Sequence, residues 1–348
     1  MKTILYFLFF IAIFPHQTEA VNSPKPLSVV IIGGGPAGLA TAIEAHLHGA
    51  DVTIIEKRET YLRLQTLFLL DPSMRLLKKW QVLLPQMKVL DLTSDIQMGV
   101  VKINNLEEGL EKRVRELGIR KILGEFRSFK EGMAKTIQVT CDGEELSFSY
   151  DVLVGADGAH SLVREQLDIR CNRMGEVQGI SAFIPLTQSS ALDISSPMKK
   201  RDYFIRKITT PSGSLIFAQR IPGSSDVNDR ISQYTLEELM KDCNWQKEAL
   251  VIAENKAKMS ASITVILQQA DTFSNKERGV ILVGDAAAVA SFFQGRGANT
   301  AFQTASIAGN FFMKLQKHDV DAYSSFNLLM KETTDELIND SKFLFCLE

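Results

Sequence analysis

Three unbroken runs of apolar residues, each leading into a glycine, dominate the hydrophobic pattern of this chain. They cover residues 29–32, 152–154 and 280–283. Short apolar runs without polar alternation are typical of strands buried on both faces, as in a parallel sheet. We therefore expect an α/β fold in which the ends of these strands meet at one edge of the sheet, where such folds bind ligands.

The first run continues into a glycine-rich turn and a helix. Gly33 allows a tight turn, Gly35 lets a phosphate approach the backbone, and Gly38 lets the next helix pack closely on the sheet. The helix is predicted to begin near Pro36, a residue suited to a first turn that needs no N–H. Its N-terminus would offer free N–H groups and the positive end of a dipole to phosphates.

A second strand is predicted over residues 51–56. Glu56 stands at its carboxyl end, where a carboxylate in such units hydrogen-bonds ribose hydroxyl groups. The alternative is an ordinary strand–helix–strand unit with a surface glutamate. The order of strand, glycines, helix and Glu56 favours nucleotide binding.

The other two apolar runs end in acidic motifs. Asp157 and Gly158 follow the second run, and Asp285 follows the third. Each motif alone is also compatible with a simpler role, because Asp-Gly suits an ordinary turn and Asp285 suits the cap of a following helix. Together with the first motif, in this order, they indicate flavin-adenine dinucleotide (FAD) held along its whole length.

The remaining pattern predicts two domains. Helical spacing over residues 106–117 is followed by several short strands within 119–149. Alternating runs then suggest an antiparallel sheet, interrupted by a helix over 236–255, and two more helices follow Gly297. The expected organisation is a Rossmann-like FAD-binding domain formed by residues 27–168 and 276–317, an inserted substrate domain over 169–275, and a C-terminal helical tail over 318–348.

Composition narrows the function classes. The chain has 348 residues, of which 45% are hydrophobic and 23% charged, and a net charge of −2, which gives no reason to expect nucleic acid as a partner. The cysteines (Cys141, Cys171, Cys243 and Cys346) are widely spaced and show no metal-ligand pattern, so no metal site is predicted. A disulfide is permitted if the chain is exported, but a chain of this size does not need one.

The N-terminus has the pattern of a secretory signal. Lys2 precedes an uncharged apolar run over residues 4–14, which is too short to span a bilayer comfortably. Pro15 ends the run, and small residues before Val21 suit a signal peptidase. We expect residues 1–20 to be a signal peptide, with export to a periplasm, a secretory lumen or the medium, and no membrane span in the mature chain. The alternative is an uncleaved segment that anchors the protein to a membrane.

With these motifs, the chain resembles the class A flavoprotein monooxygenases, the p-hydroxybenzoate hydroxylase group. Lys57, Arg58 and Arg63 also resemble residues of the actin-oxidising MICAL flavoenzymes. The resemblance covers residues 27–315 and is specific in the three motif blocks. It implies a p-hydroxybenzoate hydroxylase-type fold, FAD as cofactor, NADPH or NADH as electron donor, and insertion of one oxygen atom from O2 into a small substrate, with aromatic compounds as one candidate class.

The resemblance also implies roles for individual residues. Gly33, Gly35 and Gly38 would hold the pyrophosphate and Glu56 the adenosine ribose, with Lys57 next to it. Arg63 resembles an arginine that reaches the diphosphate or the flavin, although a solvated helix arginine is an equal alternative. The segment from Asp157 and Gly158 to Ser161 and Arg164 would serve both FAD and the nicotinamide donor. The predicted flavin contacts are completed by Asp285 at the ribitol chain and by Gly295, Gly297 and Asn299 beside the isoalloxazine ring.

The chain departs from the family pattern where substrate and oxygen meet. Ala288 replaces a histidine, and Ser291 and Phe292 replace a proline pair. No acid–base residue is assigned. Two other functions remain open: an FAD reductase, dehydrogenase or halogenase-like enzyme on the same fold, and a flavin-binding protein without turnover. A substrate pocket formed with Phe204, Phe217, Phe292 and Phe293 is one possibility, plain core the other.

Overall fold

A computed structural model describes residues 25–60, 65–91, 96–185, 193–210, 213–223, 231–259, 262–291, 293 and 295–347. The strands in chain order are β1 (Ser28–Ile32), β2 (Asp51–Glu56), β3 (Thr66–Leu70), β4 (Lys88–Asp91), β5 (Gln97–Lys102), β6 (Arg120–Leu123), β7 (Glu125–Phe129), β8 (Thr136–Cys141), β9 (Glu144–Ser149), β10 (Val152–Gly155), β11 (Cys171–Ile184), β12 (Asp193–Ile194), β13 (Met198–Lys200), β14 (Tyr203–Thr210), β15 (Gly213–Arg220), β16 (Lys258–Met259), β17 (Ile263–Ala270), β18 (Ser274–Asn275), β19 (Val280–Leu282) and β20 (Ala288–Val289). The helices are α1 (Pro36–Leu47), α2 (Asp71–Lys79), α3 (Ile103–Glu116), α4 (Leu162–Gln166), α5 (Gln233–Asp242), α6 (Gln246–Ala253), α7 (Gly297–Gln316) and α8 (Ala322–Lys342), with short 3₁₀ turns at Gly284–Ala286 and Phe343–Phe345.

The three apolar runs form the centre of one six-stranded sheet, as predicted. Its order is β18-β19-β10-β1-β2-β6, with β19, β10, β1, β2 and β6 parallel and β18 antiparallel at the edge. The interior strands are buried almost throughout, since helices cover a parallel sheet on both faces. The predicted α/β fold with a Rossmann-like unit is confirmed.

Helices α1 and α7 pack closely against each other beside this sheet. A Cβ at Gly309 of α7 would lie 2.6 Å from Glu44 Oε2, so only glycine allows the approach without a shift. Glu44 is buried on α1, and its Oε1 accepts hydrogen bonds from Lys79 Nζ at 2.6 Å and Trp80 Nε1 at 2.7 Å. The close approach at Gly309 joins α1 to α7, and the hydrogen bonds of Glu44 join α1 to the end of α2.

The second large sheet is antiparallel, as expected for the inserted region. Its order is β12-β14-β15-β11-β17-β20, with β13 paired to β14 and β16 to β11. Two short strands cross the predicted domain limits: β18, predicted in the substrate domain, joins the parallel sheet, and β20, predicted in the FAD domain, pairs with β17. Sequence composition could not place strands of two residues, because their pairing depends on the tertiary fold.

One helix prediction is corrected in detail. The helix predicted over 236–255 is two helices, α5 and α6, since Asn244 between them has a positive φ of 58°. The region predicted as a C-terminal helical tail contains α8, which buries Phe326, Met330 and Leu337 and packs on α7 and β17. In the part of the chain that the structure describes, no helix is both long and apolar enough to cross a bilayer.

Candidate functional site

The carboxyl ends of the parallel strands open into a cavity of about 760 Å³. Four adjacent strands, β2, β1, β10 and β19, border it, and three strand spacings of about 4.8 Å give a width of roughly 14 Å. The cavity is therefore long enough for an extended ligand. Nine of the twelve predicted site residues line it: Gly33, Gly35, Glu56, Lys57, Asp157, Gly158, Asp285, Gly295 and Gly297.

Two of the remaining predicted site residues, Gly38 and Asn299, do not line the cavity. Gly38 lies behind the first turn, where it allows close packing, and Arg63 lies outside the described residues. Asn299 is buried, and its side chain points away from the cavity into the protein.

The glycine-rich turn after β1 cannot accommodate side chains. Gly33 has a φ of +106°, and a Cβ there would lie 2.3 Å from the carbonyl oxygen of Ala156. A Cβ at Gly38 would lie 1.9 Å from the carbonyl oxygen of Gly33. Both glycines thus keep α1 seated at the strand end, with its N-terminal N–H groups toward the cavity.

Glu56 is a buried carboxylate at the end of β2. Its Oε2 accepts from the Gly34 N–H at 2.5 Å, and its Oε1 accepts from the Arg58 N–H at 2.8 Å and from Arg58 Nε at 3.0 Å. Burial raises the pKa of the Glu56 carboxyl, but the hydrogen bonds from Arg58 and Gly34 outweigh it and hold the pKa below its ordinary value. Glu56 is therefore ionised at neutral pH and suited to accept from hydroxyl groups.

Lys57 and Arg58 flank this carboxylate on the cavity wall. Lys57 Nζ lies 3.8 Å from Glu125, and the lysine side chain is mostly exposed. Arg58 was not among the predicted cofactor-binding residues, although it orients Glu56. Its position two residues after a strand-end glutamate was the signal that could have identified it.

Asp157 organises the turn after β10. Its Oδ1 accepts from Ser161 Oγ at 2.5 Å, and its Oδ2 accepts from the Val163 N–H at 3.1 Å. Burial raises the pKa of the Asp157 carboxyl, and these hydrogen bonds only partly offset it. Gly158 follows with a φ of +90°, as in a simple turn. Asp157 and Gly158 also line the cavity, so the motif is both a turn and a part of the candidate site.

Arg164 joins the second motif to the third. This buried guanidinium donates to the carbonyl of Ala159 at 3.0 Å and to the carbonyl of Ala286 at 2.8 Å. Asp285, one residue before Ala286, is exposed on the cavity wall. It lies within the 3₁₀ turn rather than before it, so a capping role at this turn does not account for its position.

The N-terminus of α7 reaches the other end of the cavity. The helix is 20 residues long, and among the described residues no side chain caps its N-terminus. Gly295 and Gly297 line the cavity there, which leaves backbone N–H groups and the positive end of the helix dipole available to a ligand that carries negative charge.

Asn299 anchors this helix start to β3 and α2. Its Oδ1 accepts from the Leu70 N–H at 2.9 Å and from Ser73 Oγ at 2.6 Å. Its Nδ2 donates to the carbonyls of Phe68 at 2.8 Å and Gly295 at 2.9 Å. The side chain therefore serves the protein, and only the backbone of Asn299 belongs to the helix start beside the cavity.

Beyond α7 the cavity continues beneath the antiparallel sheet. Its wall there is formed mainly by apolar side chains from β3, β15, β17 and α8, with two hydroxyl groups: Phe68, Ser181, Phe217, Thr264, Val265, Ile266 and Leu337. Of the four phenylalanines considered from sequence, Phe217 lines this wall. Phe293 is buried beside it with ring centroids 6.5 Å apart, and Phe204 contacts Phe343 instead. Phe292 lies outside the described residues.

FAD fits the order of groups along the cavity. The carboxylate of Glu56, which is suited to ribose hydroxyls, lies at the end of β2. Next to it lie the glycine turn after β1 and the N-terminus of α1, and the N-terminus of α7 lies farther along the cavity. Gly158 and Gly297 line the cavity, and a Cβ at either position would meet none of the described residues within 4 Å, so the protein leaves open space there for a ligand. Glu56, Gly35, Asp285 and Gly297 would hold it from the adenosine end to the ring.

Comparison with known proteins agrees with this fit. The profile of a family described as "FAD binding domain" matches residues 26–88 and 84–318. The FAD-dependent monooxygenase notI of an Aspergillus species is 27% identical over 173 residues, which are 42% of this chain and 40% of that protein. A geranylgeranyl diphosphate reductase of Rhodobacter capsulatus is 24% identical over 308 residues, 82% of this chain and 76% of that protein.

A solved structure supports the fold. The tetrameric form of 2-methyl-3-hydroxypyridine-5-carboxylic acid oxygenase superposes with a TM-score of 0.70 at 19% identity, covering 91% of this chain and 90% of that one. This likeness confirms the fold predicted from the family resemblance, whereas the resemblance to the MICAL flavoenzymes stays a prediction. The family match and the cavity together show that the chain belongs to the FAD-binding domain family and has the fold of the class A flavoprotein monooxygenases.

Proposed function

We propose that this protein is an FAD-dependent monooxygenase that takes electrons from NADPH or NADH and inserts one oxygen atom from O2 into a small substrate. One observation carries the proposal: a single cavity is lined by the FAD motifs at one end and by the apolar wall under the antiparallel sheet at the other. A substrate bound at that wall would meet the end of the cofactor that lies at α7. FAD supplies the exchange of two electrons and the reaction with O2.

The residues of this chain position the reactants and exclude water. Phe68, Phe217, Val265 and Leu337 form a wall that offers little to water, which protects reactive species from hydrolysis. The N-terminus of α7 would stabilise negative charge on the reduced ring through backbone N–H groups. Ser181 and Thr264 are the hydroxyl groups on this wall that could orient a polar substituent of the substrate.

The nicotinamide donor is part of this proposal. The stretch from Asp157 to His160 borders the cavity, and His160 is exposed on its wall. The resemblance gives this segment a role toward the donor, and the His160 imidazole could hydrogen-bond a phosphate or an amide of that donor.

A reductase is the second candidate. A relative matched over 76% of its length is named a geranylgeranyl diphosphate reductase, and Ala288 stands where the family resemblance expects a histidine beside the ring. In that case the same cavity would transfer electrons to the substrate without incorporating oxygen. A flavin-binding protein without turnover is the remaining alternative.

The two enzyme functions differ in the fate of oxygen. Purified protein loaded with FAD is incubated with NADPH or NADH and a panel of aromatic and isoprenoid compounds under ¹⁸O2, and products are analysed by mass spectrometry. A product heavier by one ¹⁸O atom supports the monooxygenase. Substrate reduced equally well without oxygen supports the reductase, and no NAD(P)H oxidation with any compound would leave only the flavin-binding role.

We also propose that the protein is exported through residues 1–20, which lie outside the described residues. N-terminal sequencing of protein from its native host should begin at Val21. An intact Met1 on membrane-bound protein would support the anchored alternative.

A further inference from the structure

A buried chain of hydrogen bonds links the C-terminal turn to the loop beside the cavity. Gln219 on β15 donates through Nε2 to the carbonyl of Leu344 at 2.8 Å. The hydroxyl of Ser291 donates to Gln219 Oε1 at 2.6 Å, and the N–H of Phe293 donates to that same hydroxyl at 3.1 Å. Three segments that lie far apart in sequence are thus joined in one line.

Each member of this chain is shielded from water. Gln219 and Leu344 are 0% exposed, and Ser291 and Phe293 are 1% exposed. A polar group buried to this extent loses more when its partner is removed than an exposed one, because water cannot replace the lost bond. Both polar atoms of the Gln219 amide are used, so the amide orientation is fixed by its two partners.

The loop in question runs from Ala290 to Arg296, and we call residues 290–296 the ring loop; the structure describes all of them except 292 and 294. Its members Ala290 and Gly295 line the cavity. Gln219 shares a face of β15 with Phe217, because side chains two residues apart in a strand point the same way, and Phe217 also lines the cavity. The hydrogen-bond chain therefore stands directly behind the cavity wall.

Helix α8 holds the two ends of this region. Arg296, at the end of the ring loop, donates to Glu336 at 2.8 Å and also pairs with Asp340. On the other side, Gln269 of β17 pairs in the sheet with Ala288, two residues before the loop, and donates to Thr334 Oγ1 at 2.7 Å and to Asp335 Oδ1 at 2.8 Å. The C-terminal segment is thus attached on both sides of the ring loop as well as within it.

We infer that Gln219 is a positioning residue that sets the backbone of the ring loop from the C-terminal turn at Leu344. The family resemblance expects a proline pair at 291 and 292, which would restrict the loop through its own φ angles. Here the Ser291 hydroxyl, held by Gln219, fixes the loop from outside. Loop order therefore depends on the C-terminal turn, and the consequence for the flavin rests on the proposed function.

Amide hydrogen exchange on apo protein tests the coupling without any cofactor. Ser291→Ala removes both hydrogen bonds of this hydroxyl, so it should speed exchange in the ring loop about five- to 150-fold and leave residues 343–347 nearly unchanged. Gln219→Leu should speed exchange in both segments. Ser214→Ala is the matched control, since it removes an equally buried serine hydroxyl whose contact is Glu248 at 3.4 Å.

Visible circular dichroism of the FAD-loaded variants provides the second readout. The flavin bands should change in Ser291→Ala and Gln219→Leu and stay as in wild type in Ser214→Ala. Unchanged exchange in the ring loop of Ser291→Ala would overturn the inference, and this variant suffices should Gln219→Leu not fold. Faster exchange in the loop with unchanged flavin bands would keep the coupling and argue instead against the ring lying at this end.

Discussion

The guanidinium of Arg164 lies 2.8 Å from the carbonyl oxygen of Ala286, across 122 positions of sequence. Through its second hydrogen bond, to Ala159, the same side chain holds the turns after β10 and β19 together. Gln268 of β17 donates to the same Ala159 carbonyl at 2.8 Å. The motifs that contain Asp157 and Asp285 are thus joined by hydrogen bonds at the same edge of the parallel sheet.

Replacing Arg164 should therefore affect both stability and cofactor binding. Arg164→Met leaves two carbonyls short of a charged donor, and hydrogen bonds to charged groups contribute about 1.5–3 kcal/mol each. We expect a lower melting temperature of the apo protein and weaker FAD binding, measured by calorimetry and fluorescence titration. Arg170→Met is the control, because the Arg170 side chain is 89% exposed and its ion pair with Asp271 lies at the surface. Equal effects of the two substitutions would contradict the bridging role.

Glu56→Gln should reduce the stability of the apo protein in a pH-dependent manner. Hydrogen bonds from Arg58 and Gly34 hold the pKa of Glu56 below its ordinary value. The ionised carboxylate therefore contributes its full stabilisation at pH values above the ordinary pKa, and this stabilisation is lost as the pH falls through the lowered pKa of the folded protein. The free energy of unfolding should differ between wild type and variant at pH 7 by about 1.5–3 kcal/mol. The difference should shrink below about pH 4. A difference that is independent of pH would mean that the charge plays no part.

Asp285→Ala should weaken FAD binding more than it weakens folding. The carboxylate is exposed on the cavity wall, where a ribitol hydroxyl would donate to it. Loss of such a hydrogen bond should lower the affinity for FAD about ten- to hundredfold. Thermal unfolding of the apo variant should change little, while FAD dissociates faster. Asp285→Asn and Asp285→Ser distinguish the ribitol role from helix capping. If capping were the only role of Asp285, both variants would recover the apo stability lost in Asp285→Ala, and all three variants would bind FAD as wild type does. Wild-type FAD affinity and flavin reduction in Asp285→Ala would refute the ribitol role.

Two glycine substitutions should differ in their effect on the stability of the apo protein. A Cβ at Gly38 meets the Gly33 carbonyl oxygen at 1.9 Å, so Gly38→Ala should displace α1 and destabilise the apo protein. A Cβ at Gly297 meets none of the described residues within 4 Å, and Gly297→Ala should leave the apo melting temperature unchanged or slightly raised. FAD affinity, measured by titration, should fall in both. An unaffected affinity in Gly297→Ala would show that the cofactor does not approach the start of α7.

The sequence by itself determined the parallel sheet, the glycine turn after β1 and the acidic strand ends. These features depend on local properties: apolar runs form buried strands, and a tight turn at Gly33 or Gly38 leaves no room for a Cβ. The carboxyl ends of parallel strands lie at one edge of the sheet, so the residues of three distant motifs come together there. These local properties were enough to predict nine residues that line the cavity, out of twelve predicted site residues.

Only the tertiary structure decided what surrounds that edge. The rotation of α7 turns Asn299 toward Ser73 rather than the cavity, and no residue pattern specifies that rotation. The packing of α8, in the region predicted as a C-terminal helical tail, brings Leu337 into the apolar end of the cavity. The pairing of Gln219 with Ser291 depends on how the antiparallel sheet lies against the ring loop. Such contacts arise between segments that carry no local signal of one another, because burial of shared apolar surface, not sequence spacing, brings them together.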